Sequence, residues 1–521
     1  MLTLTKIPKY GILTLMPPSL LWYDLETFGR NPFHDRIAQF ACIRTNENFE
    51  PISAGKVLYA RLSPDYLPDP RACLVHGIAP QTVMESGISE YEFAREIRSE
   101  MAQPGTCVLG FNSVHFDDEF IRNLFYRNLF DPYEREWQNG NSRWDVINLF
   151  RAMRDLRPEG LIWPVKENGK PAFKLTDLSG ANGIPHENAH DALHDVDATI
   201  KLTLLVKCAQ PKLFTWYWTH RTAESLRPLI NVVGEEMLLH TSAVYTSHYG
   251  CTAPILPISL LPGRKDSIIA VDLREDIESL FDMTASELRF AYYKSSEEYY
   301  EKKKQGAIEQ EQLELFPYFS SNYKVPLVEI KLNRCPFLAP WQILDDQSAN
   351  RLNIDKNLCL ERMKKLRANP DLVQKIIAVF SQVRNDAETK DPDYTIYSGG
   401  FFSNTDKATL RILHSELATQ SPHEVLTNYK THPWEDKRIS EMLFRLHARN
   451  WPETLNDEEQ KKWRSFCANR LLCPQIDSAL DYNKYRRIIR EAAKSASPEE
   501  KTLLRILLAY GRAIKTYSTK A

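Results

Sequence analysis

Residues 20–29 constrain the fold more than any other part of the chain. They read Leu-Leu-Trp-Tyr-Asp-Leu-Glu-Thr-Phe-Gly, a short apolar run that ends in turn-forming residues. Such a run predicts a buried β-strand. Because side chains alternate faces along a strand, Asp24 and Glu26 point the same way. Two neighbouring anions repel each other, so the pair indicates either a divalent-cation site or a solvated strand end.

The chain length and the net charge limit the kinds of protein that this sequence can encode. A chain of 521 residues exceeds a single hydrophobic core, so several domains are expected. The formal net charge of −2 excludes a general polycation. A nucleic acid would therefore have to bind in a local basic groove.

Cysteine usage and hydropathy indicate a cytoplasmic protein. The nine cysteines are scattered and form no Cys-x-x-Cys pair, which predicts reduced thiols rather than a disulfide framework or a zinc site. No apolar run reaches transmembrane length, and the first twenty residues lack the pattern of a signal peptide. We expect residues 1–18 to be a disordered leader.

Periodicity divides the rest of the chain into three domains. Residues 19–208 alternate strand and helix patterns, which predicts an α/β domain with a mixed central sheet. Residues 209–367 carry short β-rich runs separated by Pro, Gly and charged loops, which predicts a small barrel or antiparallel sheet. Within them, the charged segment 295–314 is expected to be a solvated insertion. Residues 368–521 show helical periodicity throughout.

The expected elements are as follows. Strands are predicted at 20–25, 37–44, 57–62 and 106–110 of the first domain, and at 238–245, 267–273 and 325–332 of the second. Helices of the first domain are predicted at 88–101, 117–128, 142–156, 175–182 and 192–208. Helices of the third are predicted at 372–383, 405–415, 439–450, 458–472, 485–494 and 498–515.

Two further motifs supply residues that could complete a metal site. Asp117 follows the strand at 106–110 and begins a helix, although acidic residues are favoured at helix starts in any case. His190 precedes Asp195 by five residues at the start of the next apolar-periodic helix, where a capping Asp and a surface His are the plain alternative. Each motif alone is weak evidence for a metal site.

Taken in order, the motifs resemble the DEDDh 3′–5′ exonuclease superfamily. The residue types suit phosphodiester cleavage, because carboxylates can hold two divalent ions that activate water and stabilise the leaving oxygen. A histidine can take the proton of that water, since its pKa lies near the working pH.

Longer matches narrow the resemblance to the bacterial exodeoxyribonuclease I family. They include Asp-Leu-Glu-Thr-Phe-Gly at 24–29, Asp-Arg-Ile-Ala-Gln-Phe at 35–40, Phe-Tyr-Arg-Asn at 125–128, Asn-Ser-Arg-Trp-Asp at 141–145, Leu-Arg-Pro-Glu-Gly at 156–160 and Asn-Ala-His-Asp-Ala at 188–192. The resemblance implies a ribonuclease H-like DEDDh nuclease domain, an SH3-like domain and an α-helical C-terminal domain. It also implies processive 3′–5′ hydrolysis of single-stranded DNA to 5′-mononucleotides, in DNA repair and recombination.

Catalytic roles follow from the resemblance, position by position. Asp24, Glu26 and Asp195 would bind two Mg²⁺ ions, for which Mn²⁺ can substitute, and Asp117 would complete the acidic set. His190 would be the general base, with His194 as its nearest competitor. Glu26 would also contact the terminal nucleotide. We expect His115 and His186 to be structural or surface residues.

A DNA path is predicted from cations interleaved with aromatic residues, which together suit phosphates and bases. The resemblance places these residues on the path: Arg122, Tyr133, Trp137, Arg151, Phe173 and Lys174. At position 174 the family carries Arg, whose paired phosphate contacts Lys cannot reproduce. The loop 74–78 corresponds to the family's loop beside the 3′-terminal nucleotide. Further cations could extend the channel, although a solvated surface is favoured for each: Arg221, Lys265, Arg334, Lys437, Arg438, Arg445 and Arg449.

The remaining expectations concern the binding partners of the protein and two alternative functions. The resemblance implies docking of the acidic C-terminal tail of single-stranded DNA-binding protein, with Arg157 as a contact, and a monomeric enzyme without membrane attachment. One alternative is a 3′–5′ exoribonuclease of the same superfamily, which the two additional domains argue against. The other is a non-catalytic single-stranded DNA-binding adaptor, which would have no need of five convergent ionisable groups.

Overall fold

A computed structural model of the protein describes residues 19–185, 191–234, 236–292, 325–380, 391–473 and 480–519. The leader predicted for residues 1–18 and the insertion predicted at 295–314 lie outside these ranges.

The first domain is built on a five-stranded sheet. Its strands are β1 (Ser19–Thr27), β2 (Ile37–Thr45), β3 (Lys56–Tyr59), β4 (Thr106–Gly110) and β5 (Ser142–Asp145), in the order β3-β2-β1-β4-β5. The central strand β1 is antiparallel to β2 and parallel to β4. The predicted mixed sheet is therefore confirmed. The β1–β2 register shifts between Glu26 and Thr27, so the ladder is irregular where the acidic pair lies.

Helices cover both faces of this sheet. They are α1 (Pro70–His76), α2 (Pro80–Ser86), α3 (Glu90–Met101), α4 (Asp117–Arg127), α5 (Ile147–Leu156), α6 (Leu175–Ala181) and α7 (Ala192–Ala209). The helix predicted at 142–156 is wrong at its start, because residues 142–145 form strand β5. Those residues pair with β4, and this non-local pairing outweighs the local helical pattern.

Alternate residues of β1 enter different apolar layers. Leu20 and Trp22 pack in the cluster that contains the buried residues of α7. Leu21, Tyr23 and Leu25 pack in the opposite layer with the buried residues of α4. The α7 face of β1 is therefore apolar at its start and becomes acidic at Asp24 and Glu26.

The second domain contains a five-stranded antiparallel sheet, as predicted. Helices α8 (Pro211–Thr219) and α9 (Ala223–Leu226) lead into the strands β6 (Leu238–Thr241), β7 (Thr252–Leu261), β8 (Arg264–Asp272), β9 (Leu327–Lys331) and β10 (Phe337–Pro340), ordered β10-β6-β7-β8-β9. The helices around it are α10 (Glu278–Asp282), α11 (Asp346–Arg351), α12 (Lys356–Arg367) and α13 (Pro370–Phe380). Because α13 packs against β7, we propose that the domain border lies after α13 rather than at residue 367.

The third domain is helical, as predicted. Its helices are α14 (Asn404–Leu417), α15 (Pro422–Tyr429), α16 (Arg438–Asn450), α17 (Asp457–Leu472), α18 (Tyr482–Ala492) and α19 (Pro498–Thr519). Leu413 and Ile439 join the apolar layer of α4, and Tyr485 and Leu507 pack in the cluster that contains Phe28. Among the described residues, no helix has the length and apolar character needed to cross a membrane.

Candidate active site

Three carboxylates converge between β1 and α7. Asp24 and Glu26 come from the end of β1, and Asp195 comes from the first turn of α7. One oxygen from each lies within 4.8 Å of the others, and no other such acidic, His or Cys group occurs in the part of the chain that the structure describes. The predicted metal-binding residues are therefore brought together. An all-oxygen set of this kind fits Mg²⁺ or Mn²⁺.

The start of α7 is held by two side chains. Asp191 is its N-cap and accepts a hydrogen bond from the Leu193 amide at 3.1 Å. Gln39, which lies opposite Glu26 in the β1–β2 ladder, accepts one from the Ala192 amide at 3.2 Å. Gln39 thus fixes the helix end that carries Asp195. This role of Gln39 was not predicted, although the residue lies in the family match at 35–40.

Asp117, the fourth predicted acidic residue, lies outside the group of three carboxylates but close enough to Asp24 for the two charges to repel each other. It is the first residue of α4 and is buried. The loop before it is tied down by Asp145, whose carboxylate accepts hydrogen bonds from the Asn112 amide at 2.9 Å and the Val114 amide at 3.1 Å. Gly110 begins this loop where a Cβ atom would lie 2.7 Å from a β1 carbonyl oxygen, so only glycine fits. The role of Asp145 was not predicted, although this residue ends the family match at 141–145.

The site carboxylates destabilise one another's charges. Burial and the neighbouring Asp195 raise the pKa of Asp24 well above its usual range. Burial, Asp24 and Asp195 raise the pKa of Glu26 to about 10. Burial and Asp24 likewise raise the pKa of Asp117. Such a cluster holds its negative charge only when cations neutralise it.

The histidines separate into three cases. His190, the predicted base, and His186 lie outside the described residues. His194 is half exposed, and its Nδ1 atom lies 3.3 Å from Asp191. His115 is half-buried with its Nδ1 atom 3.0 Å from Arg334, and desolvation and this cation hold its pKa well below the usual range. His115 is therefore a neutral structural residue.

Two predicted DNA contacts form a stacked pair beside α4. The Arg122 guanidinium lies 5.3 Å from the centre of the Tyr133 ring. Arg122 is buried, and its guanidinium forms ion pairs with Glu119 at 3.0 Å and Glu136 at 2.8 Å. Trp137 is 66% exposed and free to stack on a base.

Arg151 has the features of an anion contact. Its Nη1 atom donates a hydrogen bond to Asn148 at 2.8 Å, whereas its Nε and Nη2 atoms have no hydrogen-bond partner. The side chain is almost completely buried, and its guanidinium lies 5.9 Å from the Phe173 ring. Lys174 follows at the N-cap position of α6. Buried, unpartnered donors are costly, so a bound anion would stabilise Arg151.

Other predicted contacts differ in exposure. Arg445 and Arg449 are buried in ion pairs with Asp393, which removes them from a DNA-facing surface. Lys265 and Lys437 are exposed.

The remaining predicted cations have protein contacts. Arg438 pairs with Asp436 at 2.6 Å, Arg221 stacks on Trp218 at 3.8 Å, and Arg334 pairs with Glu119 at 2.9 Å.

The loop 74–78 and Arg157 occupy separate places. His76 accepts a hydrogen bond from the Ile78 amide at 2.9 Å, and its ring lies 5.9 Å from that of Phe28, which places the loop next to the end of β1.

Arg157, the predicted contact for the partner tail, lies at the border with the second domain. It donates to the Ile343 carbonyl at 2.9 Å and pairs with Asp345 at 3.0 Å.

Family models match all three domains. The model described as "Exonuclease" matches residues 21–203, the "Exonuclease I SH3-like domain" matches 221–382, and the "Exonuclease I C-terminal domain" matches 390–514. The order of the three matches is the predicted order of domains.

Individual proteins match over nearly the whole chain. The chain is 39% identical to exodeoxyribonuclease I of Haemophilus influenzae, over 95% of this chain and 98% of the relative. Exonuclease I of E. coli, solved in complex with a dA16 oligonucleotide, superimposes with a TM-score of 0.84 and 36% identity, covering 95% of this chain and all of the other. A zinc-bound form of the E. coli enzyme with single-stranded DNA gives the same TM-score and identity over 96% of this chain and all of the other.

Proposed function

The chain belongs to the exodeoxyribonuclease I family and is a metal-dependent exonuclease of single-stranded DNA, and we propose that it works processively from the 3′ end and releases 5′-mononucleotides. The convergence of Asp24, Glu26 and Asp195 is the observation that carries this proposal. An oxygen-rich, partly buried, anionic site at the end of a sheet suits metal-assisted phosphodiester hydrolysis.

Two Mg²⁺ ions are the proposed cofactor, with Mn²⁺ as a substitute. Asp24, Glu26 and Asp195 would hold them, and Asp117 would complete the set directly or through water. Bound there, the ions would activate a water molecule and stabilise the leaving oxygen. The oxygen-only ligand set supports this choice over zinc, which proteins more often bind through nitrogen and sulfur.

The protein residues then have separate tasks in one hydrolytic step. His190 takes a proton from the attacking water, whose oxygen forms the new bond to the last internucleotide phosphorus. The bond from that phosphorus to the 3′ oxygen of the preceding nucleotide breaks, so the strand keeps a 3′ hydroxyl and the released nucleotide keeps a 5′ phosphate. Glu26 lies against the terminal nucleotide, while Gln39 and Asp145 hold the two helix starts in place.

The unpaired donors of Arg151 support a phosphate contact beside Phe173. Trp137 and Tyr133 offer stacking surfaces for bases. Arg122 can contact a phosphate only if it exchanges one of its two carboxylate partners, so we expect it to contribute mainly by supporting Tyr133.

Replacement of Asp195 by Asn tests the assignment of the site. It keeps the size of the side chain but removes the charge, so we expect single-turnover cleavage of single-stranded DNA to slow by at least about 10³-fold. Binding of the same strand without metal should remain within about threefold of wild type. Asp197→Asn is the matched control, because Asp197 lies on the same helix and pairs with the exposed Lys201. Wild-type cleavage by the Asp195→Asn variant would refute the assignment.

We propose a cytoplasmic monomer that acts in DNA repair and recombination. All nine cysteines are free and seven are buried, which suits a reducing compartment.

We also propose a protein partner, the acidic C-terminal tail of single-stranded DNA-binding protein, which Arg157 binds in part. A fluorescent peptide with the sequence of that tail should bind the Arg157→Ala variant about tenfold more weakly than wild type. Equal binding would remove Arg157 from the contact, with Arg227→Ala as an exposed-arginine control.

A further inference from the structure

Three consecutive acidic residues at the start of α4 face three different surroundings. Asp117 faces the metal site, and Asp118 is bound within the nuclease domain. Asp118 accepts hydrogen bonds from the Tyr23 hydroxyl at 2.8 Å, from Arg135 at 2.7 Å and from Arg143 at 2.7 Å. Those contacts fix the helix start to the sheet. Glu119 makes its contacts elsewhere.

Glu119 is the point at which all three domains meet. Its Oε1 atom accepts hydrogen bonds from Arg122 of its own helix at 3.0 Å and from Arg334 of the second domain at 2.9 Å. Its Oε2 atom accepts one from the Tyr397 hydroxyl of the third domain. Arg334 ends the short turn between β9 and β10, and Tyr397 lies before α14. One buried carboxylate therefore joins residues 215 and 278 positions away in the chain.

Neighbouring contacts keep this junction in register. Arg143 of β5 donates to the Asn333 carbonyl at 2.9 Å, beside Arg334. On the other side, the Tyr126 hydroxyl of α4 lies 2.8 Å from the Thr395 hydroxyl, close to Tyr397 in the chain. Helix α4 is thus bonded to the third domain through Glu119 and Tyr126, and Glu119 also bonds it to the second domain.

The junction also touches the proposed DNA path. Arg122, which Glu119 holds, stacks on Tyr133, and Tyr133 contacts Phe401 of the third domain with ring centres 5.8 Å apart. A strand that follows these rings would run beside the junction. If the second and third domains moved away from α4 at this point, the hydrogen bonds from Arg334 and Tyr397 to Glu119 would break.

We propose that Glu119 is a clasp: a positioning residue that holds the second and third domains to the start of α4 and so keeps the enzyme on its strand between cleavages. The proposal rests on the single-stranded DNA exonuclease function given above. A processive enzyme removes many nucleotides only if dissociation is slow relative to cleavage. The clasp slows dissociation because the domains beside the strand must part before the strand leaves.

Glu119→Gln should remain folded, since both cations keep another partner. Arg122 retains Glu136 at 2.8 Å, and Arg334 retains contact with His115 at 3.0 Å. Glutamine keeps the shape of the side chain but weakens the charge-assisted bonds.

A trap experiment measures the effect. Enzyme is bound to a long 5′-labelled single strand without metal, and Mg²⁺ is then added together with an excess of unlabelled strand. We expect Glu119→Gln to remove about tenfold fewer nucleotides per binding event than wild type. The single-turnover rate of the first cleavage should stay within about threefold of wild type, because Asp117 keeps its place.

Two variants make the outcome specific. Glu441→Gln is the matched control: Glu441 also binds two cations, Arg445 at 3.0 Å and Lys462 at 2.9 Å, but all three lie in the third domain, so processivity should not change. Tyr397→Phe removes one clasp bond and should lower processivity in the same direction as Glu119→Gln.

The proposal is overturned if both clasp variants keep wild-type processivity, or if first cleavage slows in proportion to the loss of processivity. If the Glu119→Gln variant does not fold, the processivity of Tyr397→Phe alone decides the test. A wild-type enzyme that fails to shorten the strand from its 3′ end would instead contradict the proposed function.

Discussion

At the scale of single residues, the surroundings of each buried carboxylate separate structural from catalytic groups. Burial and neighbouring carboxylates raise the pKa values of Asp24, Glu26 and Asp117 in the site. Asp118 and Glu90 are also charged groups inside the protein, but adjacent arginines hold their pKa values below the usual range despite the opposing effect of burial. Carboxylates with repelling neighbours need an added cation, whereas those with arginine partners are already neutralised.

Glu90 allows a test of this distinction through pH. It accepts a hydrogen bond from Arg127 at 2.7 Å and lies 3.3 Å from Arg36, and its pKa falls from 4.5 to about 2 although burial opposes the fall. Glu90→Gln should lower the free energy of unfolding at pH 7 by about 3 kcal/mol, because two buried cations lose their counter-ion. Denaturant unfolding measures the loss.

The sign of the pH dependence follows from the lowered pKa. The charged Glu90 stabilises the folded state fully above about pH 4.5, and this contribution is lost as the pH falls towards 2. The difference between wild type and Glu90→Gln should therefore shrink below pH 4.5. A difference that stays constant down to pH 3 would contradict the account. Glu96→Gln is the control: Glu96 is half-buried on the same helix, and its partner Lys56 keeps Glu100 at 2.5 Å, so this variant should behave like wild type.

At the scale of elements, local patterns predicted the strands and helices whose own residues show a clear apolar pattern. Strand β4 and the start of α4 lie where the pattern placed them. Strand β5 was missed because its polar residues are satisfied from a distance: Arg143 by Asp118, and Asp145 by the loop before α4. Strand β7 was missed because it contains prolines, and its register shifts next to Pro257, where a missing amide proton does least harm.

At the scale of the whole molecule, the sequence predicted which domains occur but not how they meet. The acidic set was predictable because each member lies in a recognisable strand-end or helix-start motif. The junction at Glu119 was not, since its partners Arg334 and Tyr397 lie in other domains and show no local pattern. The same holds for the apolar layers, in which residues of the second and third domains pack against the nuclease sheet. The second and third domains are therefore both packed against the nuclease domain.

The most direct test of the central claim is the choice of end and strand. Wild-type protein with Mg²⁺ is given 5′-labelled single-stranded DNA with a free or a blocked 3′ end, duplex DNA and single-stranded RNA. The account predicts stepwise shortening of the single-stranded DNA with a free 3′ end, and resistance of the other three. Equal shortening of the strand with a blocked 3′ end, or a preference for RNA, would contradict it.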